Sequence, residues 1–209
     1  MTLRRALPWI ICAAALALGV AAFGAFQLTG EAPKFEAVDI TGVDWGKGFA
    51  LTDHNGVKRS LGDFGGQVVA LFFGYTGCPD MCPTTLALLG ASLERMGADA
   101  RRVQVLFVTV DPKRDTPEVL AQYVPAFHPS FLGLHGDAPA IARTAKEFKV
   151  YFQAQKPNDR GYYAVDHSGQ VFVFDTHGRL RLFIKPESTP EAIAHDLRAL
   201  LAEAQNQGG

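Results

Sequence analysis

Cysteine is scarce in this 209-residue sequence. Three are too few for a disulfide-rich scaffold, so any chemistry they carry lies in their placement. A surplus of either charge is also missing: twenty basic residues face twenty-one acidic ones, a formal charge of −1. A nucleic-acid binder would carry a basic surplus or stripe, so no nucleic acid is expected as a partner. Internal repeats and low-complexity tracts are absent from Gly48 onward. Charged residues make up only 20% of the chain and apolar ones 48%, a balance that excludes a wholly disordered protein. The length suits one domain with a sizeable core and is too short for two large ones.

One long apolar run is present, and it stands at the start. Arg4 and Arg5 precede Ala6 to Leu28, which is interrupted only by Pro8 and Gln27. Its roughly 23 residues, at 1.5 Å rise, would cover about 34 Å, enough for one transmembrane helix. No clean small-x-small cleavage site follows, so a retained anchor is preferred to a cleaved signal, although Val20-Ala21-Ala22 offers an alternative. The two arginines place the N-terminus in the cytoplasm and the rest of the chain outside. No Arg- and Ser-rich transit segment precedes the run, which points to a bacterial inner membrane with the folded part in the periplasm. Cys12 has the wrong position and neighbours for a lipoprotein acceptor and reads as a small apolar residue. The expected organisation is an anchor over residues 1–28, a linker over 29–47 and one domain over 48–209.

Within that domain, Phe49 to Thr52 and Val57 to Ser60 flank Asp53-His54-Asn55-Gly56, a strong hairpin signal. Gln67 to Tyr75 and Val103 to Val110 are apolar runs of strand length, as in central strands buried on both faces. Thr84 to Met96 carries Leu86, Leu89, Leu93 and Met96 at helical spacing. Asp115-Thr116-Pro117-Glu118 announces a second helix, with a cap candidate and a glutamate three residues on. Asp137 opens a third, with Ile141, Ala145 and Phe148 on one face. Strands at Val171 to Phe174 and Leu180 to Lys185 share a tight turn, and a last helix from Thr189-Pro190 buries Ile193, Leu197, Leu200 and Leu201. Parallel strands with helical crossovers, then an antiparallel pair and a helix, describe an α/β thioredoxin-like sandwich. Val150 to Val165 is extra to a minimal domain of that kind and predicts an excursion with Pro157-Asn158-Asp159 at its tip.

The informative segment is Gly74-Tyr75-Thr76-Gly77-Cys78-Pro79-Asp80-Met81-Cys82-Pro83, where a buried strand gives way to a helix. Ligands gather at such carboxyl ends of strands, and a helix N-terminus favours thiolate. Residues four apart on a helix hold their Cβ atoms about 5–6 Å apart, wider than the roughly 3.5–4.5 Å of a relaxed disulfide. The Cys-x3-Cys pair is thus better spaced to chelate a soft metal, with redox cycling still open. Two thiolates are an incomplete site, and histidine is the natural third ligand. His54, His128, His135, His177 and His195 read as solvated or capping residues in turns, loops or the last helix. His167 stands apart, between the excursion and a core strand. Two cysteines and one histidine suit copper in either oxidation state and are also accepted by zinc. Asp80, between the cysteines, reads as a helix cap. Asp111, at the end of the second buried strand, either tunes the site or steers a partner, or else simply orients its loop.

The run GYTGCPDMCP, followed by VDPKRDTP and then DHSGQVFVFD, resembles the SCO/SenC family of membrane-anchored, thioredoxin-fold copper-binding proteins. The likeness covers Gly48 to Leu201 plus the anchor. It implies that Cys78, Cys82 and His167 are the copper ligands. It also implies a role at the dinuclear copper centre of cytochrome c oxidase, whose copper-centre subunit is the expected partner beside another periplasmic copper carrier. Two functions follow: a chaperone that delivers one Cu(I) or Cu(II) ion, or a thiol–disulfide oxidoreductase in which Cys78 and Cys82 cycle. Dithiol oxidoreductases of the thioredoxin type carry Cys-x2-Cys and no dedicated histidine, which favours the chaperone. A thiol peroxidase needs a threonine near one activated cysteine, and Thr76 fits that only loosely.

Overall fold

A computed structural model describes residues 34–207. The expected anchor at Ala6–Leu28 lies outside them, and among the described residues no helix is long and apolar enough to cross a membrane. Among the described residues there are ten strands: β1 (Val38–Asp39), β2 (Ala50–Asp53), β3 (Lys58–Ser60), β4 (Val68–Gly74), β5 (Val103–Thr109), β6 (Leu132–His135), β7 (Phe152–Ala154), β8 (Val165–His167), β9 (Val171–Phe174) and β10 (Leu180–Ile184). Four α-helices accompany them within the same residues: α1 (Met81–Met96), α2 (Pro117–Tyr123), α3 (Ala138–Glu147) and α4 (Pro190–Gln207). Eight strands form one sheet in the order β1-β10-β9-β4-β5-β6-β2-β3, parallel across β4-β5-β6 and antiparallel elsewhere.

Apolar runs become the middle of this sheet because both of their faces are covered. Every residue of β4 is buried, and α1 packs beside α4 with Leu86, Leu89, Leu93, Ile193, Leu197 and Leu200 inside. The pleat sends neighbours to opposite sides. Phe73 stacks on Phe148 and Phe172, whereas Phe72 meets Phe107 and the ring of His167. The two predicted turns share one device. Asp53 and Asp175 are buried, and each carboxylate accepts two backbone N–H groups of its turn and pairs with an arginine, Arg59 or Arg179. Gly56 and Gly178 follow with φ of 84° and 72°, where a side chain would be strained.

Three features depart from the expected order. β6 was not expected: Leu132-Gly133-Leu134-His135 is short and holds a glycine, so it carries no strand pattern, yet it pairs in parallel with β5. The segment expected to be a linker supplies edge strand β1, held by two N–H donors, Glu36 and Ala37, on the buried Asp196 carboxylate. The excursion is a hairpin of its own, β7 against β8, closed by Asn158 N–H to the Tyr162 carbonyl at 2.8 Å. His167 therefore ends a strand of this small second sheet.

Candidate metal centre

Sequence chemistry sets the Cys loop before any packing does. Helix α1 begins at Met81, three residues ahead of the expected Thr84, so Cys82 is helical and Cys78 is not. Pro79 accounts for the break, because proline drives the residue before it toward extended backbone. Pro83 is tolerated in the first turn, where its missing N–H would have no intrahelical partner. The four-residue helical spacing assumed from the sequence thus does not apply to the cysteines. Asp80 occupies the cap position, but its side chain accepts no backbone N–H and instead takes a bond from Thr84 Oγ1 at 3.3 Å. Its expected capping role falls to sulfur: Cys82 N–H points to Cys78 Sγ at 3.4 Å.

Strand β8 brings the imidazole to this loop from 85 residues away. Cys82 Sγ and His167 Nε2 are 3.2 Å apart. The donor atoms of Cys78, Cys82 and His167 all lie within 4.8 Å of one another, and both cysteines are free thiols. His167 Nδ1 lies 2.9 Å from the Ser168 carbonyl. A carbonyl only accepts, so the ring proton sits on Nδ1 and the Nε2 lone pair faces the sulfur. Burial pushes the Cys82 thiol well up and the His167 imidazole down, the latter against opposing contributions from the Ser168 carbonyl and Asp166. At neutral pH both groups are therefore uncharged, and the thiol donates to the ring. A metal entering here must displace the Cys82 proton. Cys82 is fully buried and Cys78 half-buried, so the site opens on the Cys78 side.

The floor leaves no slack. A Cβ on Gly74 would stand 2.8 Å from Cys82 Sγ and 2.7 Å from a ring carbon of Phe107, so only glycine lets the helix settle on the strand. Gly74→Ala should cost about 1–3 kcal/mol by overpacking and displace Cys82. A lower melting temperature together with weakened copper binding is the expected result. Unchanged binding in this variant would show that the sulfur has room to move.

Behind the loop, the Asp115 carboxylate is buried and accepts from Thr76 N–H (3.0 Å), Thr76 Oγ1 (2.6 Å) and Thr109 Oγ1 (2.7 Å). Burial raises its pKa, opposed by those hydrogen bonds. Asp115 thus joins the ends of β4 and β5 rather than capping α2, whose cap is Thr116. Thr76 is committed to Asp115, which takes away the threonine a peroxidase reading would use. Asp111 pairs with Arg114 and accepts from Tyr163 Oη at 2.9 Å, contacts of the kind its loop-orienting reading calls for.

The other histidines are elsewhere. His54 accepts from Gly133 N–H at 3.0 Å and ties the hairpin to β6, His128 contacts Ser130, and His195 contacts Asp196. His135 ends β6, and His177 stays in its turn. Among the described residues, the group able to share an ion is Cys78, Cys82 and His167, with no carboxylate in it. Two soft sulfurs and one borderline nitrogen fit copper. Gly74, Arg114 and Tyr163 are the contributors that composition and spacing leave undistinguished; their signal is packing between segments far apart in sequence.

A sequence profile of the SCO1/SenC family matches residues 39–202. The chain belongs to this family. Among SCO1/SenC relatives, the mitochondrial SCO2 homolog of Bos taurus is 39% identical over 156 residues, covering 74% of this chain and 59% of that protein. The chain spans about three fifths of the length of the mammalian SCO2 homologs it matches. Bradyrhizobium japonicum ScoI, solved with copper bound, superposes with a TM-score of 0.67 at 38% identity over 72% of this chain and 96% of its own. Apo Sco1 of Thermus thermophilus gives 0.72 at 41%, over 82% and 99%. The SCO1/SenC likeness thus extends to fold, and homologous structures carry copper.

Proposed function

We propose that this protein is a copper chaperone that carries one ion on Cys78, Cys82 and His167 and delivers it to the dinuclear copper centre of cytochrome c oxidase. The observation that carries this reading is the Nε2 lone pair of His167 held 3.2 Å from Cys82 Sγ, with Cys78 Sγ beside both. Family membership supplies the setting, the assembly of cytochrome c oxidase. Copper is the cargo. Cys78, the less buried of the two sulfurs, meets the acceptor first, and a sulfur of the partner replaces it before Cys82 lets go. The Ala6–Leu28 run supports a single-pass anchor in a bacterial inner membrane, with this domain in the periplasm and a periplasmic copper carrier upstream.

One observation favours a second reading. A half-buried Cys78 next to a fully buried Cys82 is the asymmetry of an attacking and a resolving thiol. In that reading the two thiols pass two electrons to a disulfide of the oxidase copper site. Two thiols appear there, and a Cys78–Cys82 disulfide forms here. Both readings are tested with the soluble copper-centre domain of the oxidase. The copper-loaded protein, mixed at two or more equivalents with the metal-free, reduced acceptor, should hand over its copper, read as metal that stays with the acceptor after the two proteins are separated. The metal-free dithiol protein, mixed with the oxidised acceptor, measures reduction by thiol titration. Metal transfer without thiol exchange supports the chaperone, the converse supports the reductase, and failure of both overturns the assignment.

A further inference from the structure

Between the two segments that bring the donors together lies one cation that contacts both. Arg114 lies in the loop after β5, three-quarters buried, and its guanidinium stacks on Tyr163 with 3.7 Å between its central carbon and the ring centroid. The same group lies 5.4 Å from the ring of Tyr75 and 5.6 Å from that of Tyr162. Nε pairs with Asp111, and Nη1 donates to the Tyr163 carbonyl at 2.8 Å. Tyr163 Oη returns to Asp111, and Tyr162 Oη donates to the Gly77 carbonyl, one residue before Cys78, at 3.1 Å. Tyr75 in turn sets its edge against the His167 ring, at 5.8 Å and 86°. One cation therefore touches the start of the Cys loop on one side and the strand leading to His167 on the other.

We propose that Arg114 is a positioning residue: it locks the His167-bearing hairpin onto the Cys78 loop and so decides whether the site presents three donors or two. The inference rests on the three-ligand reading above. The hairpin needs such a lock. Strand β8 has three residues and pairs only with β7, outside the main sheet, and a two-stranded hairpin is marginal by itself. Arginine suits the task because its planar fork bonds a carboxylate and a carbonyl while its face stacks on tyrosine. With the lock released, the imidazole is free to swing from the sulfurs and the site falls back to a dithiolate. Cu(I) accepts such a site, and Cu(II) does not. Arg114 thereby sets the oxidation state that this protein can carry.

The test uses Arg114→Ala, Arg114→Lys and His167→Ala beside wild type, with two readouts. In the metal-free protein, hydrogen exchange of the β7–β8 amides should speed up by about tenfold or more in Arg114→Ala, the scale of a lost buried cation–π contact, while the amides of β4 and β5 stay protected. In titrations, Arg114→Ala should lose Cu(II) affinity and the thiolate-to-copper absorption as His167→Ala does, and keep Cu(I). Arg114→Lys holds the charge but not the fork and should fall between wild type and alanine. A folded Arg114→Ala with unchanged Cu(II) spectrum and affinity overturns the proposal. If the alanine variant loses its cooperative transition, Arg114→Lys decides, and wild-type Cu(II) binding there is the overturning result. If His167→Ala itself binds Cu(II) normally, the ligand assignment fails, and exchange alone judges Arg114: unaltered β8 protection then refutes the lock.

Discussion

Replacing Cys78 and Cys82 together by serine should abolish copper binding and leave the fold standing. Neither sulfur holds the structure by a covalent bond, since both are free thiols, and the sheet is closed by apolar strands that do not involve them. A serine at position 82 is buried, but His167 Nε2 is already placed to accept its hydroxyl proton, so no orphaned polar group results. The remaining cost is lost sulfur packing, about 1–2 kcal/mol, which lowers the melting temperature of a domain of this size by roughly 2–8 °C. The effect on copper is far larger. Losing an outer partner of a metal ligand costs about 10–100-fold in affinity, and here two of three direct donors disappear. Calorimetry or circular dichroism should still show one cooperative transition, while a copper titration shows no stoichiometric binding. A double variant without a cooperative transition would instead make the pair a structural element.

What the sequence discloses here follows the range of the forces involved. Strands β4 and β5 are legible because each is a run of buried apolar residues that needs no knowledge of its neighbours. The starts of α2 and α3 are legible in Asp115-Thr116-Pro117-Glu118 and Asp137 because capping is local, although that Thr116 and not Asp115 is the cap depends on two threonines, one of them 39 residues away. Strand β6 is hidden because its four residues gain their pairing from β5 on one side and β2 on the other, both distant in sequence. At the site, the cysteine pair announces itself by spacing. His167 does not: what makes it a donor is a carbonyl at Ser168, two aromatic walls at Phe72 and Tyr75, and a sulfur 85 residues upstream. Its place between the excursion and a core strand sets it apart from the other histidines, and the joint motif resemblance makes it the expected ligand. The role argued for Arg114 is of the same kind, since its partners come from three separate segments.

The third donor therefore carries the sharpest expectation. With His167 replaced by alanine, two thiolates remain, and Cu(I) still binds, because it is soft and tolerates two-coordinate geometry. Its affinity should fall by about 10–100-fold, the scale on which a supporting partner of a metal ligand counts, because both thiolates stay in place. Cu(II) is harder and prefers nitrogen-containing, tetragonal surroundings, so its stable binding and the visible thiolate-to-copper absorption should vanish. The neighbourhood sharpens the contrast. The Nε2 lone pair is fixed by the Nδ1 bond to Ser168, so the imidazole reaches the sulfurs already oriented, and no other histidine of the described residues lies in the group. His177→Ala serves as the control, because that side chain sits in the Asp175 turn and should leave both titrations unchanged. The measurement is a pair of titrations on wild type and both variants, Cu(I) against a competing chelator and Cu(II) by absorption. A His167→Ala protein that keeps the wild-type Cu(II) spectrum and affinity would assign the third position to another residue and remove the geometric basis for the site.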